Sequence, residues 1–505
     1  MPKLVSYVTI NCVINQPPVP PAAVTVHSLS PTDFIEYIGC RVKPLGVPHV
    51  HSLYFTFNFT VHSLYYIVLQ CTRMHLSVRI RFYIEMSIPP LLDCTPLNEF
   101  AHYTATQRWP ATIHTVINDN KEKLDQKSLQ QLNQLIDACK PDTAITLSDL
   151  YEPSSHCNEF NHWNHIRTQY STYTLLTTPW YIAESYLYHL ILTACNYFTH
   201  PNDRYDPFAK QKQNELSDNN TWSLIESAIQ LCNDSTDFNQ TLAYLLELAV
   251  YGNRVDLSYR AVSDDQSNRL DSKLNGLIYS LQNEQSSIII NDTQQVIDYV
   301  NTHTPMNLHI IHDNSGTELL CDLVLIYYFL CNGCCDTITL HCKQYPTFVS
   351  DATKSDILHH IITMIKHNNP MIQQCGRVIN KFLRSNSIII RSHSYWNSSE
   401  FYDKISDELI DIFTHADLTI IKGDANYRRT VEDRLWSTDI SIYDPLIKPA
   451  QLFPSTFLLL RTLKSDTIVG VSNTVKHQLD CQDRKWRVNG KRGVIQFHKH
   501  SNNDI

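Results

Sequence analysis

Polar clusters follow successive apolar runs in the second half of the chain, and their residue types suit a metal ion and a phosphate group. Asp313 and Asn314 end one run, and Asp351 follows the next one. Carboxylate and amide oxygens are the ligands that hard divalent cations such as Mg²⁺ and Mn²⁺ prefer. Two further clusters, residues 422–428 and 461–464, add lysine and arginine side chains, which bind phosphate. Together these residue types indicate metal-assisted hydrolysis of a phosphate ester.

A purely structural interpretation of each cluster is also open. Asp and Asn are common turn and helix-capping residues, because their side chains bond to nearby backbone N–H groups. For any single cluster, capping is the simpler interpretation. Four such clusters on successive strand ends favour a shared site.

The elements that must position these residues follow from the hydrophobic pattern after residue 286. Short apolar bursts alternate with segments of helical spacing. The predicted strands are residues 287–290, 308–312, 337–342, 387–391, 418–422, 456–460 and 467–471. The predicted helices are residues 293–301, 318–330, 353–367 and 403–414. This alternation predicts an α/β fold with a mainly parallel, Rossmann-like sheet and helices on both faces. Such sheets bind ligands beyond the carboxyl ends of their strands.

Three regions of the chain differ in pattern. Residues 1–86 form an atypical N-terminal extension, proline-rich at residues 16–24, whose order the sequence leaves open. Residues 87–260 carry apolar side chains at helical spacing and predict an all-α subdomain before the sheet. Residues 261–505 are predicted to form the α/β metal-binding phosphatase domain.

Composition limits the partners and the compartment. The net charge of −9 and the absence of a basic stripe argue against nucleic acid as a partner. Fifteen cysteines without a spacing framework predict reduced thiols in a cytoplasmic, or also nuclear, protein. The apolar stretch at residues 53–71 contains Asn58, His62 and Gln70, which favours strands over a membrane-spanning helix. We therefore expect a small-molecule partner and no membrane contact, while the oligomeric state stays open.

Ordered motifs over residues 88–497 carry a resemblance to a known family. The motifs include Arg108-Trp109-Pro110, Asp206-Pro207-Phe208, Asp313-Asn314-Ser315-Gly316-Thr317-Glu318, Phe348-Val349-Ser350-Asp351 and Gly493-Val494-Ile495-Gln496-Phe497. With them the chain resembles the damage-control phosphatases, in subfamily III of metal-dependent sugar-phosphate phosphatases. That subfamily is also described as containing acidic-residue methyltransferases. Any single motif would be weak, but their number and order make the resemblance specific.

The resemblance implies a metal site and a catalytic set. Asp313, Asn314 and Asp351 would bind a divalent metal, Mn²⁺, Ni²⁺ or Mg²⁺. Lys464 would hold the phosphate and act in catalysis together with Asp313 and Asn314. Whether water or an aspartate attacks phosphorus stays open.

The resemblance also implies a site for a small phosphorylated sugar of the fructose 1-phosphate or fructose 6-phosphate type, removed as metabolite damage control. Asp313, Asn314 and Lys464 would contact this substrate, and Glu184 and Arg254 are expected near it. The remaining implied substrate contacts are Asp424, Ala425, Asn426, Tyr427 and Arg428. Ala425 departs from the family pattern, which usually has a larger apolar residue there.

Two other functions compete with the phosphatase. An S-adenosylmethionine-dependent protein-glutamate O-methyltransferase is implied by the second description of the family. It is disfavoured because no glycine-rich loop follows a first strand. A non-catalytic binding module on the same scaffold is disfavoured because all three metal-ligand positions are intact.

Overall fold

The structure is a computed structural model that describes residues 7–13, 52–58, 88–157, 159–199, 204–252 and 287–500. The chain divides into two compact units, Met1–Ile88 and Pro89–Ile505. In the first unit, β1 (Tyr7–Val13) pairs with β2 (Ser52–Asn58) in antiparallel fashion. The predicted boundary between residues 260 and 261 lies outside the described residues. Everything that follows concerns the second unit.

The first part of that unit, the helical half, consists of helices and one π-helical turn, Thr104–Arg108. The helices are α1 (Glu99–Tyr103), α2 (Trp109–Asp119), α3 (Gln126–Ala138), α4 (Phe160–Gln169), α5 (Trp180–Ala194), α6 (Ala209–Leu216), α7 (Asn219–Asp234) and α8 (Phe238–Tyr251). Aspartates cap three of them: the side chains of Asp125, Asp218 and Asp237 accept bonds from first-turn N–H groups. Helix α5 is buried along almost its whole length and forms the centre of this half. The predicted all-α part of the fold is confirmed.

The second part, the sheet half, alternates strands and helices as predicted. The strands are β3 (Ile288–Asn291), β4 (Met306–Ile311), β5 (Cys335–Lys343), β6 (Ile388–His393), β7 (Leu418–Lys422), β8 (Phe457–Thr462) and β9 (Gly493–His498). The helices are α9 (Thr293–His303), α10 (Thr317–Cys331), α11 (Lys354–Lys366), α12 (Pro370–Arg384), α13 (Asp407–Thr414), α14 (Asp424–Val431), α15 (Lys448–Gln451) and α16 (Asn473–Gln482).

The seven strands form one sheet in the order β3-β9-β8-β7-β4-β5-β6. Strands β8, β7, β4, β5 and β6 run parallel, whereas β9 is antiparallel to β8 and runs in the same direction as β3. The chain leaves β4 towards β6 and returns to β7 on the other side of β4. The strand order therefore reverses between β4 and β7, and such a reversal opens a crevice for ligands.

Both faces of the sheet are covered. In β8, Leu458 and Leu460 belong to the core cluster that contains α8 and α10. Their neighbours Phe457 and Leu459 belong to a different cluster, with residues of α13 and α14. Because side chains alternate along a strand, this split places helices on the two faces. The predicted α/β class is confirmed.

The structure departs from the sequence analysis at two places in this half. Residues 467–471 are not a strand: Gly470 and Val471 donate to the carbonyls of Ile440 and Thr438 in a loop, and β9 lies beside β8 instead. Helix α12 was not predicted: Pro370 is its first residue, and the side chain of Asn369 accepts hydrogen bonds from its first N–H groups. Among the described residues, no helix is long and apolar enough to cross a membrane.

Candidate functional site

The carboxyl ends of β4 and β7 lie side by side at the point where the strand order reverses. Asp313 comes two residues after β4, and Asp424 comes two residues after β7. Gly423, between β7 and α14, has a φ of +86°, and a Cβ there would lie 2.0 Å from Cγ of Asp313. Only glycine therefore lets this turn approach Asp313 so closely.

The segment after β4 also pairs with the segment after β5. The N–H of Ala352 donates to the carbonyl of Asp313 at 2.7 Å, and the N–H of Ser315 donates to the carbonyl of Ser350 at 2.7 Å. Asn314 and Asp351 face each other in this short antiparallel bridge. The main chain thus brings together the three predicted metal ligands, Asp313, Asn314 and Asp351.

The turn that carries Asp351 is strained. Phe348 and Val349 have positive φ values of 48° and 69°. For a β-branched residue such as valine this conformation costs about 1–3 kcal/mol. Strain of this kind persists where the surrounding structure imposes it, which is common at functional sites.

Hydrogen bonds fix the orientation of the Asn314 amide. Its Nδ2 donates to Oδ2 of Asp313 at 2.7 Å and to Oε2 of Glu318 at 2.9 Å. Its Oδ1 accepts from Oγ of Ser350 at 2.6 Å. Since carboxylates only accept and the hydroxyl donates here, the position of the amide oxygen follows from its neighbours.

These strand ends and the helical half enclose a small cavity of about 80 Å³, hereafter the small cavity. The predicted site residues that line it are Glu184, Asp313, Asn314, Asp351, Asp424, Ala425, Arg428 and Lys464. Arg108, Trp180 and Phe348 complete the lining and were not among the predicted site residues. For Arg108 and Phe348 the only sequence signal was their place in the family motifs.

The helical period explains which residues of the 424–428 segment reach the small cavity. These residues form the first turns of α14, so Asp424, Ala425 and Arg428 share one side. Nδ2 of Asn426 instead donates to the carbonyl of Lys422 at 2.9 Å, and the hydroxyl of Tyr427 accepts from the N–H of Val469 at 3.1 Å. The side chains of Asn426 and Tyr427 therefore hold α14 in place, and a substrate contact by either stays a prediction. Arg254 lies outside the described residues.

Arg428 joins the two halves of the molecule. Its Nε and Nη2 donate to the two carboxylate oxygens of Asp433 at 2.9 and 2.8 Å, and its Nη1 donates to Oε2 of Glu184 at 2.8 Å. The guanidinium carbon lies 4.0 Å from the ring centroid of Trp180. Burial would lower the pKa of Arg428, but the carboxylates of Asp433 and Glu184 raise it well above its ordinary value. The cation is therefore held rigidly at the cavity wall.

Asp424 links β7 to the turn after β8. Its Oδ1 accepts from Nε of Arg461 at 2.8 Å and from the N–H of Lys464 at 3.1 Å. Burial would raise the pKa of Asp424, but the charges of Arg461 and Arg428 hold it below its ordinary value. Asp424 is therefore ionised at neutral pH and positions the main chain at Lys464.

A buried polar network lies beneath Asn314. Nζ of Lys422 lies 3.1 Å from Oε1 of Glu318 and 2.7 Å from Oδ1 of Asp322. Nδ1 of His312 lies 3.0 Å from the other oxygen of Asp322. Burial raises the pKa of Glu318, while Asp322 and Glu318 raise that of Lys422 despite its burial. The network holds the base of the loop that carries Asp313 and Asn314 by charge pairing.

The helical half also contacts two loops that carry the predicted metal ligands. One carries Asp313 and Asn314, the other carries Asp351, and we call them the ligand loops. Nζ of Lys212 donates to the carbonyl of Asp351 at 3.1 Å and lies 2.9 Å from Asp206 and 3.0 Å from Asp356. Glu215, one turn further along α6, accepts from the hydroxyl of Thr317 at 3.1 Å. The positions of both ligand loops therefore depend on α6.

The donor chemistry fits the implied metal. In the described part of the chain, no group of three or more His, Cys, Asp or Glu residues could hold a metal ion. The predicted set consists instead of two carboxylates and one amide, all oxygen donors, as hard cations such as Mg²⁺ and Mn²⁺ require. Nζ of Lys343 lies 3.2 Å from Oδ2 of Asp351 and balances part of the negative charge.

Comparison with known proteins assigns the chain to a family. An oxygen-donor site at the reversal point of a parallel sheet, covered by helices, is the layout expected of a ligand-binding α/β protein. The family model of the damage-control phosphatase ARMT1-like domain matches residues 104–479. The chain therefore belongs to the damage-control phosphatase ARMT1-like domain family, and the predicted family is confirmed.

Curated relatives carry the name Damage-control phosphatase ARMT1. The protein from Danio rerio is 26% identical over 448 residues, which cover 82% of this chain and 98% of that protein. The protein from Bos taurus is 28% identical over 343 residues, 63% of this chain and 74% of that protein. The human protein is 23% identical over 450 residues, 81% of this chain and 98% of that protein. A solved DUF89 family protein from Pyrococcus horikoshii overlaps 79% of this chain and 98% of its own at 15% identity and a TM-score of 0.41.

Proposed function

We propose that this chain is a metal-dependent phosphoric monoester hydrolase acting on small phosphorylated sugars of the fructose 1-phosphate and fructose 6-phosphate type. One observation carries the proposal: Asp313, Asn314 and Asp351, which have oxygen donors, line the same small cavity as the cations Arg428 and Lys464. The names of the curated relatives support a phosphatase. Overall, the oxygen of a water molecule becomes bonded to phosphorus, the bond between phosphorus and the ester oxygen breaks, and the sugar oxygen leaves with a proton from that water.

The metal ligands in this proposal are Asp313, Asn314 and Asp351, for Mn²⁺, Ni²⁺ or Mg²⁺. When bound, such an ion draws electron density from the phosphoryl group and neutralises its charge. Lys464 places a second positive charge beside the phosphoryl oxygens. Arg428, held by Asp433 and Glu184, adds a fixed positive charge that needs no rearrangement as negative charge shifts in the transition state.

The rest of the small cavity suits a sugar. Asp424 and Glu184 present carboxylate oxygens that accept hydrogen bonds from sugar hydroxyls. Trp180 and Phe348 supply apolar walls for the carbon skeleton. Twelve cysteines between residues 94 and 481 are free thiols, which supports a reducing compartment such as the cytoplasm.

The decisive experiment measures phosphate release across a panel of sugar phosphates with Mn²⁺, Mg²⁺, Ni²⁺ or a chelator. We expect metal-dependent release that the chelator abolishes. Asp313→Ala should abolish release without unfolding the protein. Asp336→Ala, at an exposed position where β5 begins, is the matched control and should keep full activity. Full activity of Asp313→Ala in the presence of metal would refute the proposal.

Calorimetry with S-adenosylmethionine tests the competing methyltransferase function. The phosphatase proposal expects no binding in the micromolar range. Clear micromolar binding, together with no phosphate release from any ester of the panel, would replace the phosphatase by the methyltransferase.

A further inference from the structure

A second, larger cleft of about 680 Å³ lies beside the small cavity and shares Arg108 with it. We call it the basic cleft, because its lining includes the cations Arg108, Arg484, Lys485 and Arg487. Two carboxylates, Glu99 and Asp466, also line it, so cations are in excess. Its volume lies within the range of about 300–1,000 Å³ that small-molecule sites occupy.

Arg108 stands at the junction because of an irregularity in the helical half. The turn Thr104–Arg108 is π-helical and lies between α1 and α2. A π-helical turn contains an extra residue and is often found at functional sites. Arg108 ends this turn, and its guanidinium carbon lies 5.9 Å from the ring centroid of Phe100, which also lines the basic cleft. The irregular turn thus sets a cation between the two spaces.

The opposite wall is a short basic segment that is rigidly held. Between Arg484 and Arg487, the side chain of Trp486 is fully buried, and its Nε1 donates to Oδ1 of Asp480 at 2.8 Å. The N–H of Lys485 donates to the side chain of Asp483 at 3.0 Å. The cations next to this tryptophan therefore project from a fixed turn and not from a free chain.

The pKa of Asp466 depends on charged groups beside both the basic cleft and the small cavity. Burial raises its pKa; Arg487 of the basic cleft lowers it, and Asp433 and Asp424 beside the small cavity raise it. The charges of the basic cleft and of the small cavity are therefore close enough to act on the same carboxylate. A ligand that occupies the small cavity and extends past Arg108 would meet the basic segment.

We propose that the basic cleft binds a second phosphate group, carried on the leaving-group side of the substrate. The substrates then include sugar bisphosphates, of which one phosphate is removed and the other is held by Arg484 and Arg487. This inference rests on the proposed function. Arginine guanidinium groups match phosphate oxygens in geometry and charge, and their field attracts anionic substrates. Phe100 and Tyr103 supply apolar walls for the carbon skeleton.

The test compares a sugar monophosphate with the matching bisphosphate, fructose 6-phosphate with fructose 1,6-bisphosphate. In the double variant Arg484→Ala/Arg487→Ala, kcat/KM for the bisphosphate should fall about ten-fold or more, because the second phosphate loses its charged hydrogen-bond donors. The monophosphate should be hydrolysed within about two-fold of the unmodified protein. The control Arg377→Ala/Arg384→Ala removes the same charge from exposed positions of α12 and should change neither substrate.

The outcomes separate this inference from the proposed function. If the monophosphate is hydrolysed and the double variant affects both esters equally or neither, the basic cleft does not bind a second phosphate, while the phosphatase stands. If the unmodified protein hydrolyses neither ester, calorimetry with fructose 1,6-bisphosphate decides on the basic cleft, and the proposed function itself fails when no ester of the panel is hydrolysed. Weaker binding in the double variant than in the control then supports the anion site, and equal binding overturns it. Tighter binding of adenosine monophosphate than of the bisphosphate would assign the cleft to an aromatic ligand and also overturn the inference.

Discussion

The sheet half and the helical half contribute to the small cavity in different ways. Asp313, Asp424 and Lys464 come from strand ends, so the hydrogen-bonded ladder of the sheet places their main chain. Arg108 and Glu184 instead reach the cavity as single side chains from helices that pack over the sheet edge. The sheet half should therefore be sensitive to changes of the backbone, and the helical half to changes of individual charges.

The charges at the boundary between the halves are paired across it. Arg428 of the sheet half bonds to Glu184 of the helical half, and Lys212 of the helical half bonds to Asp356 of the sheet half. Both pairs are largely buried, so removing one partner leaves the other charge uncompensated. These pairs differ from surface ion pairs, which contribute little to stability.

The largest effect is expected from a backbone change in the sheet half, Gly423→Ala. The new Cβ would lie 2.0 Å from Cγ of Asp313, and the φ of +86° disfavours any side chain. Asp313 must then move, which we expect to lower kcat/KM more than about a hundred-fold, since small displacements of catalytic groups are costly. Phosphate release and thermal unfolding measure the two effects.

Gly333→Ala is the control for Gly423→Ala. It introduces the same backbone strain without displacing a neighbouring side chain. Gly333 also has a positive φ, +65°, but no atom lies within 4 Å of the place that a Cβ would take there. We expect a stability loss of about 1–2 kcal/mol and unchanged activity. Equal activity of the two variants would show that the close approach of Gly423 to Asp313 has no role in catalysis.

The second largest effect concerns the boundary itself, in Arg428→Lys. Lysine keeps the positive charge but lacks the planar guanidinium. It cannot at once make the bidentate contact with Asp433, donate to Glu184 and stack on Trp180. We expect a loss of roughly 3 kcal/mol in stability and a fall in kcat/KM of about ten- to a hundred-fold. Urea unfolding and steady-state kinetics check both values.

Arg429→Lys is the control for that substitution. Arg429 is equally buried, but its guanidinium donates to the carbonyls of Tyr395, Trp396, Ser398 and Glu400, away from the small cavity. It should lose comparable stability while the folded fraction keeps its activity. Loss of activity in both variants would mean that global stability, and not the position of Arg428, limits the reaction.

The sheet half was predictable from the sequence because its signals are local. An apolar run followed by an acid and an amide marks the end of β4, and the same logic locates the end of β7 at Lys422. The adjacency of β4 and β7 follows from the strand order, which no local pattern encodes. The mainly parallel sheet was predictable from the sequence. The position at which the strand order reverses, between β4 and β7, was seen only in the structure.

The contacts that the helical half makes with the site were less predictable, because they join residues that are far apart in the sequence. Arg428 and Glu184 are 244 residues apart, and Lys212 and the carbonyl of Asp351 are 139 residues apart. Only the family motifs pointed to Glu184, and nothing in the sequence linked Lys212 to Asp351. The error at residues 467–471 has a similar cause: a short β-branched run is buried in a loop as readily as in a strand.

A smaller effect on activity is expected from Lys212→Met in the helical half. The variant leaves Asp206 and Asp356 without their cation and the carbonyl of Asp351 without a donor. We expect a loss of about 3 kcal/mol in stability at pH 7 and a fall of roughly ten-fold in kcat/KM. Lys210→Met, on the same helix but paired with Asp119 at the surface, should change neither.

The same variant has a pH signature. Although burial raises the pKa of Asp356, Lys212 holds it below its ordinary value in the folded protein. A depressed carboxyl pKa stabilises the fold above the unfolded pKa of about 3.9, and this contribution is lost as the pH falls through the folded pKa. The stability deficit of Lys212→Met should therefore be large at pH 7 and shrink below about pH 4. A deficit independent of pH in urea unfolding would contradict the charge pairing.

The smallest effect is expected from Thr221→Val, which tests whether the helical half acts on the site only through charges. Oγ of Thr221 on α7 lies 2.9 Å from Oγ of Thr317, the first residue of α10 after the loop that carries Asp313 and Asn314. Valine keeps the shape and removes this bond, so stability should fall by about 1 kcal/mol while kcat/KM stays within about two-fold. Thr193→Val, whose hydroxyl bonds within α5, is the control. A ten-fold loss of activity in Thr221→Val alone would mean that neutral contacts from the helices also position the ligand loop, and the contrast between the two halves would fail.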